Sequence, residues 1–406
     1  MNITDKSALR PCTSCGVCAT ICGKKAINLQ LDDDGFYRPV VDVELCNNCE
    51  LCTSVCYKFD DRICMTTAGV LKNKPLYSAW SEDDELVRQT TSGGIGDIIA
   101  RQLYQDGYKV VGVRYNEKEI RAEHFIAESI NDLLSFRGSK YIQSYTFDAF
   151  KDVVAKCRGE KYAVFGTPCQ IYALSKIATK RNVRDNFFFV DLYCHGCPSL
   201  HAWTKYQNKI KRETSAKEFD NVSFRSKTKG WGAFCVEAKV AGKSIYKGDK
   251  ANDEFYELYF SNQILNDACY ECLLRSTLEY TDIRLGDFWG HKYIDNRRGV
   301  SAISLATPKG ESLFCQIKGS IVSSICSYED FLPYQSWNIK YKKNSKLRKV
   351  VLQSLKDNKE DIQDAIKKLR KYEGISVTAK RLVKTFLSLF PQGLTNKIKK
   401  IIYKIR

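Results

Sequence analysis

Residues 12–22 read CTSCGVCATIC and residues 46–56 read CNNCELCTSVC, and these two stretches decide the fold at the start of the chain. Both follow the spacing C-x2-C-x2-C-x3-C, and every cysteine of the second stretch follows its counterpart in the first by the same offset. In such a loop three thiolates converge on one [4Fe–4S] cubane, while the fourth binds the other cubane. We therefore predict two [4Fe–4S] clusters in one small domain. Cluster one would be held by Cys12, Cys15, Cys18 and Cys56, and cluster two by Cys46, Cys49, Cys52 and Cys22.

Two other kinds of cysteine site compete with this prediction. Structural zinc is usually bound by paired C-x2-C knuckles, which gives no reason for a third and a fourth cysteine at these gaps. Radical enzymes that leave one iron open use a C-x3-C-x2-C nucleus, but Lys25 and Phe59 occupy the positions where its last cysteine would lie. We therefore prefer the two-cluster prediction to both alternatives.

This segment resembles the bacterial two-cluster ferredoxin. Gly23 and Tyr57 stand where that family usually has a proline after the last cysteine. The missing prolines put the start of the following helix in question, but they do not change the predicted ligands. The resemblance implies a ferredoxin-type domain over residues 1–72.

Composition limits the class of protein. Cysteine supplies 18 of 406 residues, about 4%, which is below the roughly 8–10% of a disulfide scaffold. The sequence has no apolar run after a basic start in MNITDKSALR and no stretch of about 18 apolar residues, so we expect neither a secretory signal nor a membrane span. We predict a cytoplasmic protein, in which clustered cysteines serve metals or catalysis.

The net charge of +17 is concentrated at one end of the chain. Residues 340–406 hold 20 Lys and Arg against 5 Asp and Glu, a net of +15, whereas the other residues hold 44 against 42, a net of +2. A nearly neutral body argues against nucleic acid as a partner. Apolar residues such as Leu382, Phe386 and Phe390 recur at helical spacing among the lysines. The tail could therefore lie on an anionic membrane surface, pack on its own domain or dock an acidic ferredoxin.

Four further cysteines lie where strands are predicted to end. Cys169 and Cys194 follow the apolar strands Tyr162–Phe165 and Phe187–Leu192, and Cys269 and Cys272 form a C-x2-C knuckle. The carboxyl ends of parallel strands are where ligands usually collect, so a third cluster is one interpretation. Cysteine is also among the most buried residue types, so these residues could simply belong to the core.

The motifs around these cysteines carry a second resemblance. GSKYIQS (138–144), GTPCQ (166–170), DLYCHGCPS (191–199), FRSKTKGW (224–231), CYEC (269–272) and DIRLGDFWG (282–290) follow one another in this order. The set is similar to the beta-subunit family of coenzyme F420 hydrogenases and formate dehydrogenases, which includes flavin-dependent chlorophyll-pathway reductases. The likeness runs from about Tyr77 to Trp337, and the added ferredoxin segment resembles bacterial members often encoded with polysaccharide-biosynthesis genes.

The resemblance implies a third [4Fe–4S] cluster beside an FAD. Its ligands carry over onto Cys169, Cys194, Cys269 and Cys272, and Cys197 is an added thiol that could replace Cys194. Strand–turn–helix units and the alternating pattern of residues 222–240 predict a mixed α+β and α/β fold. We predict a small two-cluster ferredoxin-like domain at 1–72, a mixed-sheet FAD-binding domain at 73–340 and a basic helical tail at 341–406.

Two loops are candidates for the flavin. Ser92, Gly93 and Gly94 enter a helix, where backbone N–H groups could hold the FAD pyrophosphate, and Lys140 with Tyr141 could add a cation and a stacking ring. A plain helix entry and surface side chains are the alternatives. The sequence lacks G-x-G-x-x-G after a strand, so a Rossmann dinucleotide site is not supported.

Substrate residues are less defined by the sequence. Arg225, Lys227 and Trp231 could form a cationic, aromatic mouth for a small anionic substrate or could be solvated hairpin charges. Asp287 and Trp289 could shape the flavin or cluster pocket, or only the turn that holds them. His195 is the one candidate for a catalytic proton donor, and a structural hydrogen bond is its alternative role.

These observations predict a flavin-dependent iron–sulfur oxidoreductase. Electrons would pass between the ferredoxin-type clusters, FAD and an organic acceptor, with ferredoxin or a deazaflavin as the carrier. The first alternative is a non-catalytic electron-transfer subunit that feeds a partner reductase. The second is a scaffold with structural clusters and no flavin.

Overall fold

The computed structural model describes residues 1–248, 252–388, 390 and 392–405, with the backbone alone described at 384, 388, 392, 399 and 401–405. The helices are α1 (Val17–Ile21), α2 (Leu51–Ser54), α3 (Ala68–Lys72), α4 (Asp84–Gln89), α5 (Ile95–Gln105), α6 (Phe147–Lys156), α7 (Pro168–Lys180), α8 (Leu200–Thr214), α9 (Glu254–Phe260), α10 (Pro308–Ile317), α11 (Tyr328–Phe331), α12 (Ser345–Lys356), α13 (Ile362–Tyr372), α14 (Ile375–Ser388) and α15 (Gln392–Ile405). The strands are β1 (Ile27–Leu31), β2 (Tyr37–Val41), β3 (Leu76–Ser81), β4 (Lys109–Asn116), β5 (Arg121–Ile126), β6 (Ser144–Tyr145), β7 (Tyr162–Phe165), β8 (Phe187–Leu192), β9 (Asn221–Ser226), β10 (Cys235–Val240), β11 (Lys243–Lys247), β12 (Ile283–Asp287), β13 (Ser301–Leu305) and β14 (Ile321–Ile325).

A mixed sheet forms the centre of the described chain. Within those residues it has nine strands in the order β14-β3-β13-β12-β8-β7-β4-β5-β6. Strands β12, β8, β7 and β4 run parallel, as do β5 and β6, and the other pairs are antiparallel. The prediction of a mixed α/β fold with parallel pairing of Tyr162–Phe165 and Phe187–Leu192 is therefore confirmed.

Both faces of this sheet are covered, which explains why β8 reads as a continuous apolar run. Successive side chains of a strand point to opposite faces. Phe187 and Phe189 pack with apolar residues of α6 and α7, whereas Phe188 packs with residues of α5 and α10 on the other face. The parallel strands are thus buried on both sides, as parallel sheets usually are.

The cysteine-rich segment packs against one face of this sheet. Strands β1 and β2 form an antiparallel hairpin. Val17 and Ile21 of α1 join the same apolar cluster as α6 and α7. Gln143 fixes the hairpin further, because its side chain accepts from the Tyr37 amide at 3.1 Å and donates to the Gly35 carbonyl at 2.7 Å.

A second layer contains the other antiparallel strands and part of the basic tail. Strands β11, β10 and β9 form a small antiparallel sheet, as the alternating pattern of residues 222–240 predicts. Helices α12 and α13 bury an apolar face against α8 and α9, with Val351, Ile362 and Ala365 fully buried. The predicted helical tail is confirmed, while the division of the chain into three domains stays a prediction.

Helices α14 and α15 differ from α12 and α13 because they leave large apolar side chains in solvent. Ile375 is 90% exposed, and Leu382 and Phe386 are each 60% exposed. Among the described residues, no helix has the length and apolarity to cross a bilayer.

Candidate iron–sulfur and flavin site

The two cysteine repeats share one backbone conformation. Ser14 and Asn48 have φ of 61° and 54°, and Gly16 and Glu50 have φ of 75° and 62°. Positive φ is uncommon outside glycine, so its recurrence at equivalent positions of the two repeats is specific. The helices that follow also begin at equivalent positions. The repeated loop geometry supports the prediction of two equivalent cluster loops.

The predicted ligands of cluster one lie within electrostatic range of each other. Burial raises the pKa of the Cys18 thiol well above its usual value, and Cys15, Cys12 and Cys56 add to that rise. Free thiols crowded in this way resist ionisation, whereas a metal deprotonates a coordinating thiol outright. These four thiols therefore fit a set of ligands that would hold a cationic metal centre.

Among the predicted ligands of cluster two, a thiol from one repeat also raises the pKa of a thiol from the other, although the rise is smaller than at Cys18. Burial raises the pKa of the Cys52 thiol, and Cys22 from the first repeat adds to the rise. The Ala26 amide donates to Cys22 Sγ at 3.3 Å. Amide donors to sulfur are among the features that tune cluster potentials.

Cysteines from three separate segments converge on one cavity, which we call the third site. The cavity measures about 70 Å³. Strands β7 and β8 are parallel neighbours, so the turns that follow their carboxyl ends meet, and the C-x2-C knuckle closes the third side. Its thiols come from Cys169, Cys194, Cys197, Cys269 and Cys272.

Local hydrogen bonds position these thiols. Cys169 lies in the first turn of α7, and Thr167 Oγ1 contacts its Sγ at 3.2 Å. The Cys197 amide donates to Cys269 Sγ at 3.4 Å, while the Asn266 amide donates to the Cys197 carbonyl at 2.7 Å. The loop after β8 and the knuckle are therefore bonded to each other directly.

Five thiols surround a site for which a [4Fe–4S] cluster needs four. Cys194 and Cys197 both line the cavity. Burial raises the pKa of Cys194 to about 11 and that of Cys197 well above its usual value. The choice of ligand between them stays a prediction.

Arg275 is a residue of the third site that the sequence analysis missed. It lines the cavity and is only 4% exposed. Its guanidinium donates to the carbonyls of Cys194, His195 and Cys269 at 2.8–3.2 Å and to the Ile339 carbonyl at 2.9 Å. These acceptors are neutral, so the buried charge is available to an anionic group in the cavity. No sequence motif links an arginine at this spacing to a C-x2-C knuckle, so its role could not be predicted from the sequence.

The first cysteine loop forms part of the third site. Thr13 and Ser14 line the same cavity. Burial raises the pKa of the Cys169 thiol, and Cys15 is the next contributor. The predicted ligand loop of cluster one and the third site are therefore neighbours. Within the described ranges, no three His, Cys, Asp or Glu side chains are grouped as a site for a single metal ion.

The first predicted flavin loop uses its polar groups internally. The Gly93 amide donates to Ser301 Oγ at 2.9 Å, and Ser92 Oγ donates to the Val300 carbonyl at 2.8 Å. A Cβ on Gly93 would lie 2.4 Å from the Ala79 carbonyl oxygen, so this glycine permits close packing on β3. Gly94 has φ of 84° and precedes α5.

The second predicted flavin loop meets the first. The Ser139 amide donates to Thr91 Oγ1 at 2.8 Å. Lys140 Nζ donates to the carbonyls of Ser135, Phe136 and Arg137 at 2.9–3.2 Å, and burial lowers its pKa to about 7. Its ammonium is therefore already bound within the protein.

Tyr141 connects the flavin loops to the FRSKTKGW and GDFWG motifs. Its ring stacks on Tyr259 at 5.4 Å, and Arg225 Nη1 donates to its hydroxyl at 3.4 Å. Arg225 also pairs with Asp287. Motifs that are far apart in sequence, from Tyr141 to Asp287, thus meet at one place.

This meeting point has the chemistry of an anion site with aromatic walls. Trp231 stacks on Trp289 at 4.7 Å, and its Nε1 donates to Asp287 at 2.8 Å. Arg225 lies 4.8 Å from the Trp289 ring centroid, and its Nε and Nη2 are buried with no hydrogen-bond partner among the described residues. Lys227 Nζ donates to the Ser92 carbonyl at 2.7 Å. The arrangement fits a group that combines a ring with a negative charge, as a flavin nucleotide does.

His195 is placed between the two regions but is fully engaged. Its Nε2 contacts Asn262 Oδ1 at 2.7 Å, and its Nδ1 contacts the Tyr341 hydroxyl at 3.0 Å. Burial lowers its pKa to about 4. These contacts favour the structural role for His195.

Comparison with known proteins relates most of the chain to one family of beta subunits. Residues 76–151 match the family described as coenzyme F420 hydrogenase/dehydrogenase, beta subunit N-term, and residues 159–330 match the C terminus of the same beta subunit. The chain is 25% identical over 270 residues to the coenzyme F420 hydrogenase subunit beta of Methanococcus voltae, covering 64% of this chain and 86% of that protein. It is 23% identical over 193 residues to an uncharacterized protein of Methanocaldococcus jannaschii, covering 42% of this chain and 54% of that relative. A chain of the F420-reducing [NiFe] hydrogenase complex from Methanosarcina barkeri aligns with a TM-score of 0.45 and 19% identity, covering 74% of this chain and 93% of that one.

Proposed function

Because the chain belongs to the coenzyme F420 hydrogenase/dehydrogenase beta-subunit family, we propose that it is an iron–sulfur flavoprotein oxidoreductase. It passes electrons between two ferredoxin-type [4Fe–4S] clusters, a third [4Fe–4S] cluster, FAD and an organic acceptor or a deazaflavin. The clusters supply one-electron transfer, and the flavin links one-electron to two-electron chemistry.

The observation that carries this proposal is the cavity of five thiols that the first cysteine loop helps to line. Thr13 and Ser14 belong to cluster one's loop and also to the third site. This juxtaposition supports a continuous route from the cysteine repeats to the body of the chain. The buried charge of Arg275 supports an anionic occupant such as a thiolate-bound cluster.

Of the residues first predicted for the flavin, Tyr141 keeps that role here, and Arg225 joins it. Ser92, Gly93 and Lys140 bond within the protein, whereas Arg225 offers two buried donors between aromatic rings. We assign Arg225 to the negatively charged part of the flavin, with Tyr141 close enough to line the same space. A small anionic substrate would share this region, and the polysaccharide-associated resemblance makes sugar-derived acceptors the first class to assay.

The second candidate function is a non-catalytic electron-transfer subunit. It is favoured by the relative from Methanococcus voltae, whose name describes one subunit of a hydrogenase. In this case the protein would take electrons from a reduced carrier and hand them to a partner reductase.

The experiment that tests the proposal is anaerobic purification with iron, sulfide and flavin quantified together. Three cubanes require about 12 irons per chain and the ferredoxin pair alone about 8, since each cubane holds four. Bound flavin with carrier-dependent turnover supports the enzyme. Clusters with oxidation of a reduced carrier, but no turnover without a partner, support the subunit. Stoichiometric zinc, or a folded protein that binds no flavin, would contradict the proposal.

A further inference from the structure

The two cysteine repeats share a backbone but differ in exposure. In the first loop Ser14 is 8% exposed and Val17 is fully buried against the body of the chain. In the second loop the equivalent residues Asn48 and Leu51 are exposed. From Asp42 to Leu51 every residue is exposed except Cys46, which is half-buried. The loop of cluster two therefore faces solvent, whereas the loop of cluster one faces the third site.

The exposed loop of residues 42–51 carries several apolar side chains that face solvent. Val43 is 77% exposed, Leu45 is 52% exposed and Leu51 is 36% exposed, and all three lie within six residues of the exposed Cys49 in sequence. Single exposed apolar side chains are ordinary, but several grouped around one functional group mark an interaction site. Leu51 is exposed where its counterpart Val17 in the first repeat is fully buried, whereas Leu9, the counterpart of Val43, is also exposed.

The same loop has a one-sided charge. Residues 42–51 contain Asp42, Glu44 and Glu50 and no Lys or Arg, although the whole chain carries a net charge of +17. Glu50 pairs with the Met1 ammonium at 3.4 Å, so Asp42 and Glu44 supply the negative charge that a partner would meet. An apolar centre with a charged rim is the usual anatomy of a protein interface. A partner that complements this rim must present basic side chains.

We infer that the loop of residues 42–51 is the docking surface for a protein electron carrier with an apolar contact area and a basic rim. The inference rests on the proposed function, because it requires cluster two behind this loop. Cys46, Cys49, Cys52 and Cys22 would hold cluster two behind this loop, where the cluster would exchange one electron at a time with the carrier. The loop of cluster one is buried next to the third site and would hold the cluster that lies between the exposed loop and that site.

The test uses the full-length holoprotein, reduced with dithionite and freed of excess reductant, as electron donor. The acceptor is a basic c-type cytochrome, in which each electron reduces one ferric haem, and ferricyanide serves as the small-molecule acceptor. The Val43→Ser/Leu45→Ser variant removes the apolar centre, and Glu44→Lys reverses one rim charge. The matched controls are Ile325→Ser, which changes an apolar side chain that is 72% exposed on β14, and Glu119→Lys in the exposed turn after β4.

We expect the double variant to slow cytochrome reduction about tenfold, the equivalent of about 1.4 kcal/mol of lost contact. Glu44→Lys slows it at low salt, and this difference shrinks as salt screens the rim. Both variants keep wild-type iron content and reduce ferricyanide within twofold of the wild-type rate, and the controls reduce cytochrome normally.

Two results would overturn the docking surface while leaving the clusters in place. One is an unchanged cytochrome rate in both loop variants. The other is a wild-type protein that reduces an acidic plant-type ferredoxin faster than the basic cytochrome at low salt. Absence of iron from the purified protein would instead remove the proposed function itself, and iron content separates the two failures.

Discussion

Asn266 donates a hydrogen bond of 2.8 Å from Nδ2 to Ser14 Oγ, and this bond joins the third site to the loop of cluster one. Asn266 is fully buried, and its Oδ1 accepts from the Ala268 amide at 3.0 Å at the start of the turn that carries Cys269. One amide side chain therefore orients residues of both sites. The relationship makes the two sites one structural unit.

Replacing Asn266 with alanine should loosen both sites together. The change leaves the Ala268 amide without its buried acceptor, at a cost of about 1–3 kcal/mol. It also removes one of the two donors to the Ser14 hydroxyl, which keeps Arg38 Nη1 at 3.3 Å. We expect faster release of iron to a chelator and a lower melting temperature of the holoprotein. Asn186→Ala is the control, since Asn186 donates to the Cys157 carbonyl at 2.8 Å away from the cysteine sites. Equal iron release in the two variants would contradict the coupling.

The choice between Cys194 and Cys197 can be decided by serine substitution. Loss of the true ligand should remove about four irons per chain, because an incomplete thiolate set does not retain a cubane. We expect Cys194→Ser to show this loss and Cys197→Ser to keep its iron. Iron and sulfide assays of both variants, with Cys315→Ser as an exposed control, check the result. The reverse pattern would assign the ligand to Cys197.

Spacing predicts the two cysteine repeats, whereas for the four later cysteines it left a third cluster and a buried core both open. The repeated C-x2-C-x2-C-x3-C spacing predicts two equal loops because cubane geometry constrains each cysteine, and the recurring positive φ at Ser14 and Asn48 supports it. The buried strands before Cys169 and Cys194 were correctly predicted from apolar runs. Parallel pairing then brings their ends together, as their positions in β7 and β8 confirm.

The sequence could not reveal how polar groups are shared inside the fold. Lys140 lies in a motif that predicts a phosphate partner. In the structure its ammonium instead donates to three carbonyls of the preceding turn. Close packing on β3 requires a glycine at position 93. The local sequence pattern does not predict this packing. Arg225 and Asp287 lie far apart along the chain, so their ion pair depends on tertiary structure alone.

Arg275 should raise the reduction potential of the third cluster. Reduction adds negative charge to an anionic centre, and a fixed guanidinium nearby stabilises the reduced form. We expect Arg275→Met to make reduction at least tenfold less favourable, a fall of about 59 mV for one electron. Arg275→Lys keeps the charge and should restore most of the difference.

A redox titration monitored by EPR measures this potential without relying on turnover. The Arg275 guanidinium donates to carbonyl groups, so we expect Arg275→Met to keep its iron. The two potentials can be compared only if the iron content of the variant equals that of the wild type. An unchanged potential in Arg275→Met with full iron would show that the charge does not act on the cluster.

The prediction that the basic tail binds an anionic lipid surface can be tested at α14, whose large apolar side chains are exposed. Residues 374–406 contain eight Lys and Arg and no Asp or Glu. We expect Leu382→Ser/Phe386→Ser to weaken sedimentation with phosphatidylserine vesicles several-fold and wild-type binding to fall with salt. Iron and flavin content should be unaffected. Wild-type protein that ignores these vesicles at low salt would contradict the prediction.

The flavin site can be tested at Arg225 without removing its charge. Lysine keeps the ion pair with Asp287 but lacks the planar fork whose Nε and Nη2 are buried and unpartnered among the described residues. We therefore expect Arg225→Lys to raise the Kd for FAD about tenfold, measured by the change in flavin fluorescence on binding. Arg121→Lys, which alters an arginine paired with Glu123 at 3.1 Å, is the matched control and should bind as the wild type does. An unchanged Kd in a folded, iron-replete Arg225→Lys protein would place the flavin elsewhere, because two lost charge-assisted donors cannot leave the affinity of an anionic ligand unaltered.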